Sequence, residues 1–181
     1  MSSKKDGKIP LLLINENPSS IIKKREVLVM KYQFELNEQE AQPALTIRSR
    51  TAVENLPKLI GEAYGKIMRY MGELGEQPAG APYTAYFNMD MQDLDVEMGF
   101  PVAKTLPGQG EVKAGVIPAG RYVTCMYKGP YSKMEEPYNE INKWMAENGY
   151  EPSGMSYEYY YNSPEEAPES EILTKIAIPL K

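Results

Sequence analysis

The sequence of 181 residues contains no histidine and a single cysteine, Cys125. Without histidine the chain forms no Ser-His-Asp or Cys-His catalytic centre, no histidine metal site and no histidine proton shuttle. One cysteine gives neither an intrachain disulfide nor a thiolate zinc cluster. We therefore expect no cofactor, no metal ion and a cytoplasmic location, with a secreted protein without disulfides as the alternative.

The sequence also lacks a long hydrophobic run and a concentration of basic residues. The apolar run at residues 9–14 is too short for a membrane helix, and nothing after it is long enough to span a bilayer. The net charge is −5, and no basic stripe indicates a nucleic-acid interface. We expect neither a membrane nor a nucleic acid as a direct partner.

The first residues differ in charge from the rest of the chain. Residues 1–29 carry six basic and three acidic residues, a net charge of +3, which leaves −8 for the remainder. Met30 would serve as a natural start. We predict a poorly ordered extension over residues 1–43 and one domain over residues 44–181, a length that suffices for one well-formed core.

Tyrosine and methionine are present in surplus, with 14 Tyr and 11 Met against 3 Phe and 1 Trp. Tyrosine combines an apolar ring with a polar hydroxyl, which suits a half-hydrated cavity, and methionine gives adaptable apolar surface. Both residue types also fill strands and cores without any binding role. The composition permits a binding cavity but does not require one.

Residues 60–88 are repeated at residues 134–162, at a fixed offset of 74. The aligned residues include Gly75 with Gly149 and Asn88 with Asn162. A supersecondary unit used twice predicts one pseudo-symmetric domain, with a ligand cleft where the copies meet. Each copy contains four residues at helical spacing: Ile60, Tyr64, Ile67 and Met71, then Met134, Tyr138, Ile141 and Met145.

Each copy has the pattern of a strand, a helix and two further strands. In the first copy, at about residues 44–103, we predict strands at 45–53, 83–87 and 94–102. A helix over 56–74 has Asn55 as its N-cap and stops at Gly75. Together the two copies predict an α+β domain, in which two helices cover a pseudo-twofold antiparallel sheet of about eight strands.

The second copy, at about residues 111–181, begins with a strand pair at 112–117 and 121–127. Ser132 and Glu135 have the spacing of a capping box, and Asn148 with Gly149 ends the helix that follows. Strands are predicted at 156–161 and 171–180. At Phe100 and Ile178 the offset between the two copies has increased from 74 to 78. The second copy therefore has four extra residues, which we predict in the loop at 162–170.

The sharpest difference between the copies is Glu158, which stands where the first copy has Thr84. Because side chains alternate along a strand, Glu158 shares a face with Tyr160, the counterpart of Tyr86. A carboxylate among aromatic rings suits a flat, lipophilic ligand that is cationic or donates hydrogen bonds. Desolvation would raise the pKa of Glu158 and make it a candidate proton donor. The alternative is a solvated glutamate on an exposed face.

Two further aromatic residues are candidates for the same cleft. Trp144 lies to one side of the apolar helix stripe, where it lines a cleft edge or packs in the core. Tyr131 directly precedes Ser132, where its ring leans over the sheet or packs against the start of the helix. The candidate ligand-binding residues are therefore Glu158, Tyr160, Trp144, Tyr131 and Tyr86.

Four groups of residues in the second copy carry a resemblance to a known family. The groups are Tyr127, Gly129, Pro130 and Tyr131; Trp144, Asn148, Gly149 and Tyr150; residues 157–160; and Ile176, Ile178, Pro179 and Leu180. Together they resemble the GyrI-like, or AraC-type effector-binding, domain family, a SOUL-like duplicated module. The resemblance covers about residues 44–181 and implies two modules that enclose a ligand cleft. In this family the glutamate of a Tyr-Glu-x-Tyr pattern contacts the ligand, which implies that role for Glu158.

The resemblance implies three functions among which the sequence does not decide. The first is binding of a small hydrophobic or cationic molecule, in multidrug or effector sensing or in sequestration. The second is hydrolysis of cyclopropane-type electrophiles, with Glu158 as the catalytic residue. The third is interaction with DNA gyrase. Family members often follow a helix-turn-helix region, and residues 1–43 show no such pattern, so a stand-alone version is expected.

Overall fold

The computed structural model describes residues 31–181, so the predictions for residues 1–30 lie outside the described residues. These described residues form two α-helices, α1 (Leu56–Glu73) and α2 (Glu135–Glu147), and eight strands. Neither helix of this part of the chain is long and apolar enough to cross a membrane. The strands are β1 (Phe34–Gln39), β2 (Gln42–Thr51), β3 (Tyr83–Tyr86), β4 (Leu94–Pro101), β5 (Lys113–Ile117), β6 (Gly120–Lys128), β7 (Ser156–Tyr160) and β8 (Leu173–Pro179).

All eight strands form one antiparallel sheet in the order β1-β6-β8-β7-β3-β4-β2-β5. The first copy supplies β1 to β4 with α1, and the second supplies β5 to β8 with α2. If each strand is replaced by its equivalent in the other copy, the strand order is reversed but otherwise unchanged. The pseudo-twofold axis therefore passes between the two central strands, β3 and β7. The predicted α+β class and the duplicated architecture are confirmed.

The domain begins earlier than the predicted boundary at residue 44. Strand β1 pairs with β6, from Phe34 opposite Cys125 to Gln39 opposite Gly120. The strand escaped prediction because it lies at a sheet edge with residues 35–38 exposed, so its sequence shows no apolar alternation. Each copy therefore has two strands before its helix.

The first strand of each copy pairs with the other copy. The predicted pair of β5 with β6 is wrong, because β5 pairs with β2 and β6 pairs with β1. The β1–β6 ladder and the β2–β5 ladder have the same register, since Gln39 faces Gly120 and Gln42 faces Ile117, so together they form one continuous ladder. The copies thus exchange strands reciprocally, and the sheet curls so that one long ladder joins its two ends.

Equivalent contacts in the two hairpins confirm the duplication and its change of offset. The Asn88 side chain donates to the Asp93 carbonyl and accepts from the Asp95 amide, and Asn162 makes the same two bonds to Glu171 and Leu173. The offset is 74 at the asparagines and 78 at their partners. The four extra residues of the second copy therefore lie between Asn162 and Glu171, as predicted.

The helix ends agree with the prediction at both C-termini and at the N-cap position of α1, but not at the start of α2. Gly75 and Gly149 follow the two helices with φ of 69° and 72°, a conformation that glycine adopts without strain. The predicted capping box is wrong, because Ser132 lies in a 3₁₀ turn and the N-cap of α2 is Met134. Asn55 occupies the N-cap of α1, but its side chain makes no capping hydrogen bond.

Three buried clusters form the core. One packs α1 on the first-copy half of the sheet, with Ile67 and Met71 fully buried, and a second packs α2 on the other half around Ile141 and Met145. The third lies on the opposite face of the sheet and consists of tyrosines, alanines and Ile117. The helices therefore share one face, and the strand pair between them carries the candidate site.

Candidate functional site

Glu158 lies at the pseudo-twofold axis of the domain. On the central strand pair it faces Thr84, which is its own counterpart in the first copy. The Glu158 side chain is directed to the helix side of the sheet, and the residue is only 8% exposed. The alternative of a solvated glutamate on an exposed face is therefore wrong.

Three phenols contact the Glu158 carboxyl group. The Tyr138 hydroxyl of α2 donates to Oε1 at 2.8 Å, and the Tyr160 hydroxyl of β7 donates to Oε2 at 2.9 Å. The Tyr86 hydroxyl of β3 lies 3.4 Å from Oε2 and also 3.4 Å from the Tyr160 hydroxyl. The carboxyl is thus surrounded by aromatic hydroxyl groups from both copies.

The environment acts on the charge of the carboxyl in two opposite ways. Burial raises the pKa of Glu158, and the hydrogen bonds from Tyr138, Tyr160 and Tyr86 oppose that rise because they stabilise the carboxylate. Burial and the nearby negative charge hold the pKa values of these three phenols well above the ordinary value. The three phenols are therefore protonated hydrogen-bond donors at neutral pH.

The equivalent place in the first copy is neutral. Tyr64 of α1 is the counterpart of Tyr138, and its hydroxyl lies 3.2 Å from the Thr84 hydroxyl. Burial raises the pKa of Tyr64, and the charge of Glu158 adds to this rise. The two copies therefore present the same phenol to the sheet centre, and only one of these two phenols meets an acid.

Tyr131 covers the site at the surface. It is 40% exposed, and its ring meets the ring of Tyr160 edge-on with centroids 5.8 Å apart. Burial, with the nearby charge of Glu158, raises the pKa of Tyr131. Tyr160 and Tyr131 thus form a pair of rings between the carboxyl and the solvent.

Trp144 is not brought to Glu158. Its ring packs against Phe34 at 5.7 Å and stacks on Tyr150 at 5.6 Å between centroids. These residues belong to the core cluster under α2. Of the five predicted ligand-binding residues, the structure places Glu158, Tyr160, Tyr86 and Tyr131 together and leaves Trp144 apart.

Where the copies meet, the protein's own phenol groups surround Glu158. A cavity of about 360 Å³ lies instead beside Lys31 and Lys133, and one of about 270 Å³ beside Gln42 and Tyr159. Neither is lined by Glu158. Within residues 31–181, no three acidic or cysteine side chains converge on a point that would hold a metal ion.

Sequence reasoning assigned Tyr138 and Tyr64 to the apolar helix stripes and missed their contacts with the site. Their neighbours on those stripes are isoleucine and methionine, which need no polar partner. A buried tyrosine hydroxyl does need one. The recurrence of tyrosine at the same stripe position in both copies was therefore the signal that pointed to polar groups at the sheet centre.

Comparison with known proteins identifies the fold and the family. The sequence model of the GyrI-like small molecule binding domain matches residues 32–181. No curated protein sequence matches the chain significantly. Among solved structures, the C-terminal domain of EcmrR is 23% identical with a TM-score of 0.65, and the match covers 84% of this chain and 99% of that one.

Longer and more distant structures share the same fold. The match to EcmrR in its DNA complex has a TM-score of 0.70 at 23% identity and covers 84% of this chain but only 59% of that one. A hydrolase from Listeria innocua is 14% identical with a TM-score of 0.61, over 82% of this chain and 92% of its own. SAV2435 bound to tetraphenylphosphonium is 8% identical with a TM-score of 0.57, over 82% and 94%.

The family match spans all eight strands and both helices, and the solved structures agree with the observed architecture. The chain belongs to the GyrI-like small molecule binding domain family.

Proposed function

We propose that this domain binds a lipophilic molecule with a single positive charge, and that Glu158 is the charge partner. The observation that carries the proposal is a buried carboxyl at the axis between the copies, whose hydrogen-bond donors among residues 31–181 are all phenols. None of the ion pairs among residues 31–181 includes Glu158. A cationic ligand would supply the charge that the protein does not.

The aromatic surroundings favour a bulky ligand with delocalised or shielded charge. Phenol rings offer apolar area and a negative face to a cation, and such a cation loses little hydration when it is buried. The binding of tetraphenylphosphonium by SAV2435, which shares the fold, supports this class of ligand. Because Tyr160 and Tyr131 cover the carboxyl, entry requires these two rings to rotate toward solvent.

Isothermal titration calorimetry with tetraphenylphosphonium tests the proposal. We expect Glu158→Gln to weaken binding about tenfold or more, since it removes the charge and keeps the shape. The matched control is Glu97→Gln, which changes a partly buried glutamate on the opposite face that accepts a hydrogen bond from Tyr83. Equal affinity of the wild type and Glu158→Gln would contradict the proposal.

A second candidate function is hydrolysis of a strained electrophile at the same carboxyl. Burial raises the pKa of Glu158 and so favours the protonated form, which could donate its proton to a leaving group. The hydrolase from Listeria innocua has the same fold. Turnover of a cyclopropane-bearing electrophile by the wild type, absent in Glu158→Gln, would establish this activity, and binding without turnover would exclude it for that compound. Effector sensing, sequestration and interaction with gyrase stay predictions.

A further inference from the structure

The two copies differ at a second position on the face that carries Glu158. Thr174 of β8 stands where the first copy has Val96 of β4. Both residues are fully buried, and each faces the tyrosine of its own copy across the neighbouring strand: Val96 faces Tyr86 and Thr174 faces Tyr160. Valine and threonine have nearly the same shape, so the difference between the copies is one hydroxyl group.

This hydroxyl has no hydrogen-bond partner. The Oγ1 atom of Thr174 is buried and makes no hydrogen bond to any of the residues that the structure describes. A buried hydroxyl without a partner destabilises the folded protein, and native structures rarely keep one without a reason. The valine of the first copy shows that the fold does not need a hydroxyl at this position.

The polar groups of the central strands are concentrated in the second copy. Ser156 replaces Pro82, and its hydroxyl lies 3.3 Å from the Tyr138 hydroxyl that donates to Glu158. With Glu158 and Thr174, the second copy thus presents one carboxyl and two hydroxyl groups to the helix side of the sheet. The Ser156 hydroxyl and the phenol hydroxyls around Glu158 all have hydrogen-bond partners within this network. The Thr174 hydroxyl has none among the described residues.

We propose that the Thr174 hydroxyl is a hydrogen-bonding subsite of the Glu158 site and selects ligands that carry a hydroxyl or another hydrogen-bonding group beside their cationic centre. This inference rests on the proposed function. Thr174 is the strand neighbour of Tyr160, the ring that must rotate for a ligand to reach the carboxyl. Rotation of that ring uncovers the Thr174 hydroxyl, roughly 7 Å along the strand direction from Glu158.

Two phosphonium cations of nearly the same shape test the inference. (3-Hydroxypropyl)triphenylphosphonium carries a hydroxyl group where butyltriphenylphosphonium carries a methyl group. We expect Thr174→Val to weaken binding of the hydroxypropyl compound about fivefold to tenfold and to leave the butyl compound unchanged. The melting temperature of Thr174→Val should equal or exceed that of the wild type, because the unpartnered hydroxyl is gone.

Two further variants serve as controls. Thr174→Ser keeps a hydroxyl and should retain the wild-type ratio of the two affinities. Val96→Thr places the same hydroxyl in the first copy beside Tyr86, away from the acid, and should leave the ratio unchanged. A structural role of Thr174 would alter both affinities by the same factor, whereas a binding role alters their ratio.

The outcomes separate this inference from the proposed function. If both compounds bind and both depend on Glu158, but Thr174→Val changes their affinities equally or not at all, the inference is wrong and the proposed function stands. If the wild type binds neither compound, both are wrong. A change in the affinity ratio confined to Thr174→Val supports the hydrogen-bonding subsite.

Discussion

The Glu158 carboxyl is removed from water but has three hydrogen-bond donors within its own domain. Two of them, Tyr138 and Tyr160, lie at 2.8 and 2.9 Å, and Tyr86 is more distant at 3.4 Å. Neutral donors stabilise a carboxylate less than an opposite charge would, so burial dominates and the pKa of Glu158 is raised. The charge of Glu158 is therefore expected to depend on pH and, if the proposed function is correct, on a bound cation.

The first prediction at the residue scale concerns stability. Because the pKa of Glu158 is raised on folding, its contribution to the free energy of unfolding is full below the unfolded value of 4.5 and is lost as pH rises through the folded value. We expect Glu158→Gln to gain stability relative to the wild type over that window. Thermal unfolding of both proteins from about pH 4 to pH 8 measures the difference. A difference that does not vary with pH would contradict a raised pKa.

A second prediction at this scale concerns binding. A cation favours the ionised carboxylate, so the affinity for tetraphenylphosphonium should increase as pH rises through the pKa of Glu158. Dissociation constants measured across the same pH range should show this rise in the wild type. They should be flat in Glu158→Gln, and a parallel rise in that variant would assign the effect to another group.

At the scale of single elements, the start of α2 shows how a local pattern is overruled. Ser132 and Glu135 have capping-box spacing, yet the amides of Lys133 and Met134 donate to the Pro130 and Tyr131 carbonyls in a 3₁₀ turn. These amides are satisfied by backbone groups, and the helix begins after them. The C-terminal signal is different, because a positive φ at Gly149 depends on one residue only.

We predict opposite results for substitutions at the two ends of α2. Ser132→Ala should change the free energy of unfolding by less than about 0.5 kcal/mol, because the side chain caps nothing. Gly149→Ala should cost about 1 kcal/mol, because alanine is strained at φ of 72°. Denaturant unfolding measures both values. A loss of about 1 kcal/mol in Ser132→Ala would show that the capping box forms in solution.

At the scale of the whole molecule, the reciprocal strand exchange makes each copy depend on the other. Strand β1 completes the sheet beside β6, and Phe34 and Tyr32 pack in the core cluster under α2. Neither copy has a full set of neighbours without the first strand of the other. The domain is therefore one cooperative unit rather than two linked modules.

Two truncations test this dependence. A chain that begins at Met30 keeps every strand that the structure describes, whereas one that begins at Ala44 lacks β1 and the start of β2. We expect the shorter chain to lose at least about 3 kcal/mol, from the burial of Tyr32 and Phe34 alone, and to aggregate through the unpaired edge of β6. Thermal unfolding and size-exclusion chromatography compare the two. Equal melting temperatures would show that β1 contributes nothing.

Much of the architecture was predictable because it depends on patterns of residues that are close in sequence. The offset of 74 between the copies, the stripe of Ile67 and Met71, and the stop at Gly75 all depend on residues close in sequence. The replacement of Thr84 by Glu158 identified the candidate site for the same reason. That identification requires only that the copies be aligned, and the structure buries Glu158 where the copies meet.

The sequence by itself determined the duplication, the faces of the helices and the single acid at the centre. Tertiary structure alone decided that β1 and β5 each pair with a strand of the other copy. It also decided that Trp144 packs away from Glu158, and that the phenols of Tyr138 and Tyr86 contact the same carboxyl group. The physical reason is that periodicity specifies which face of an element is buried. Strand partners and hydrogen bonds between distant residues depend on long-range packing, which no local pattern records.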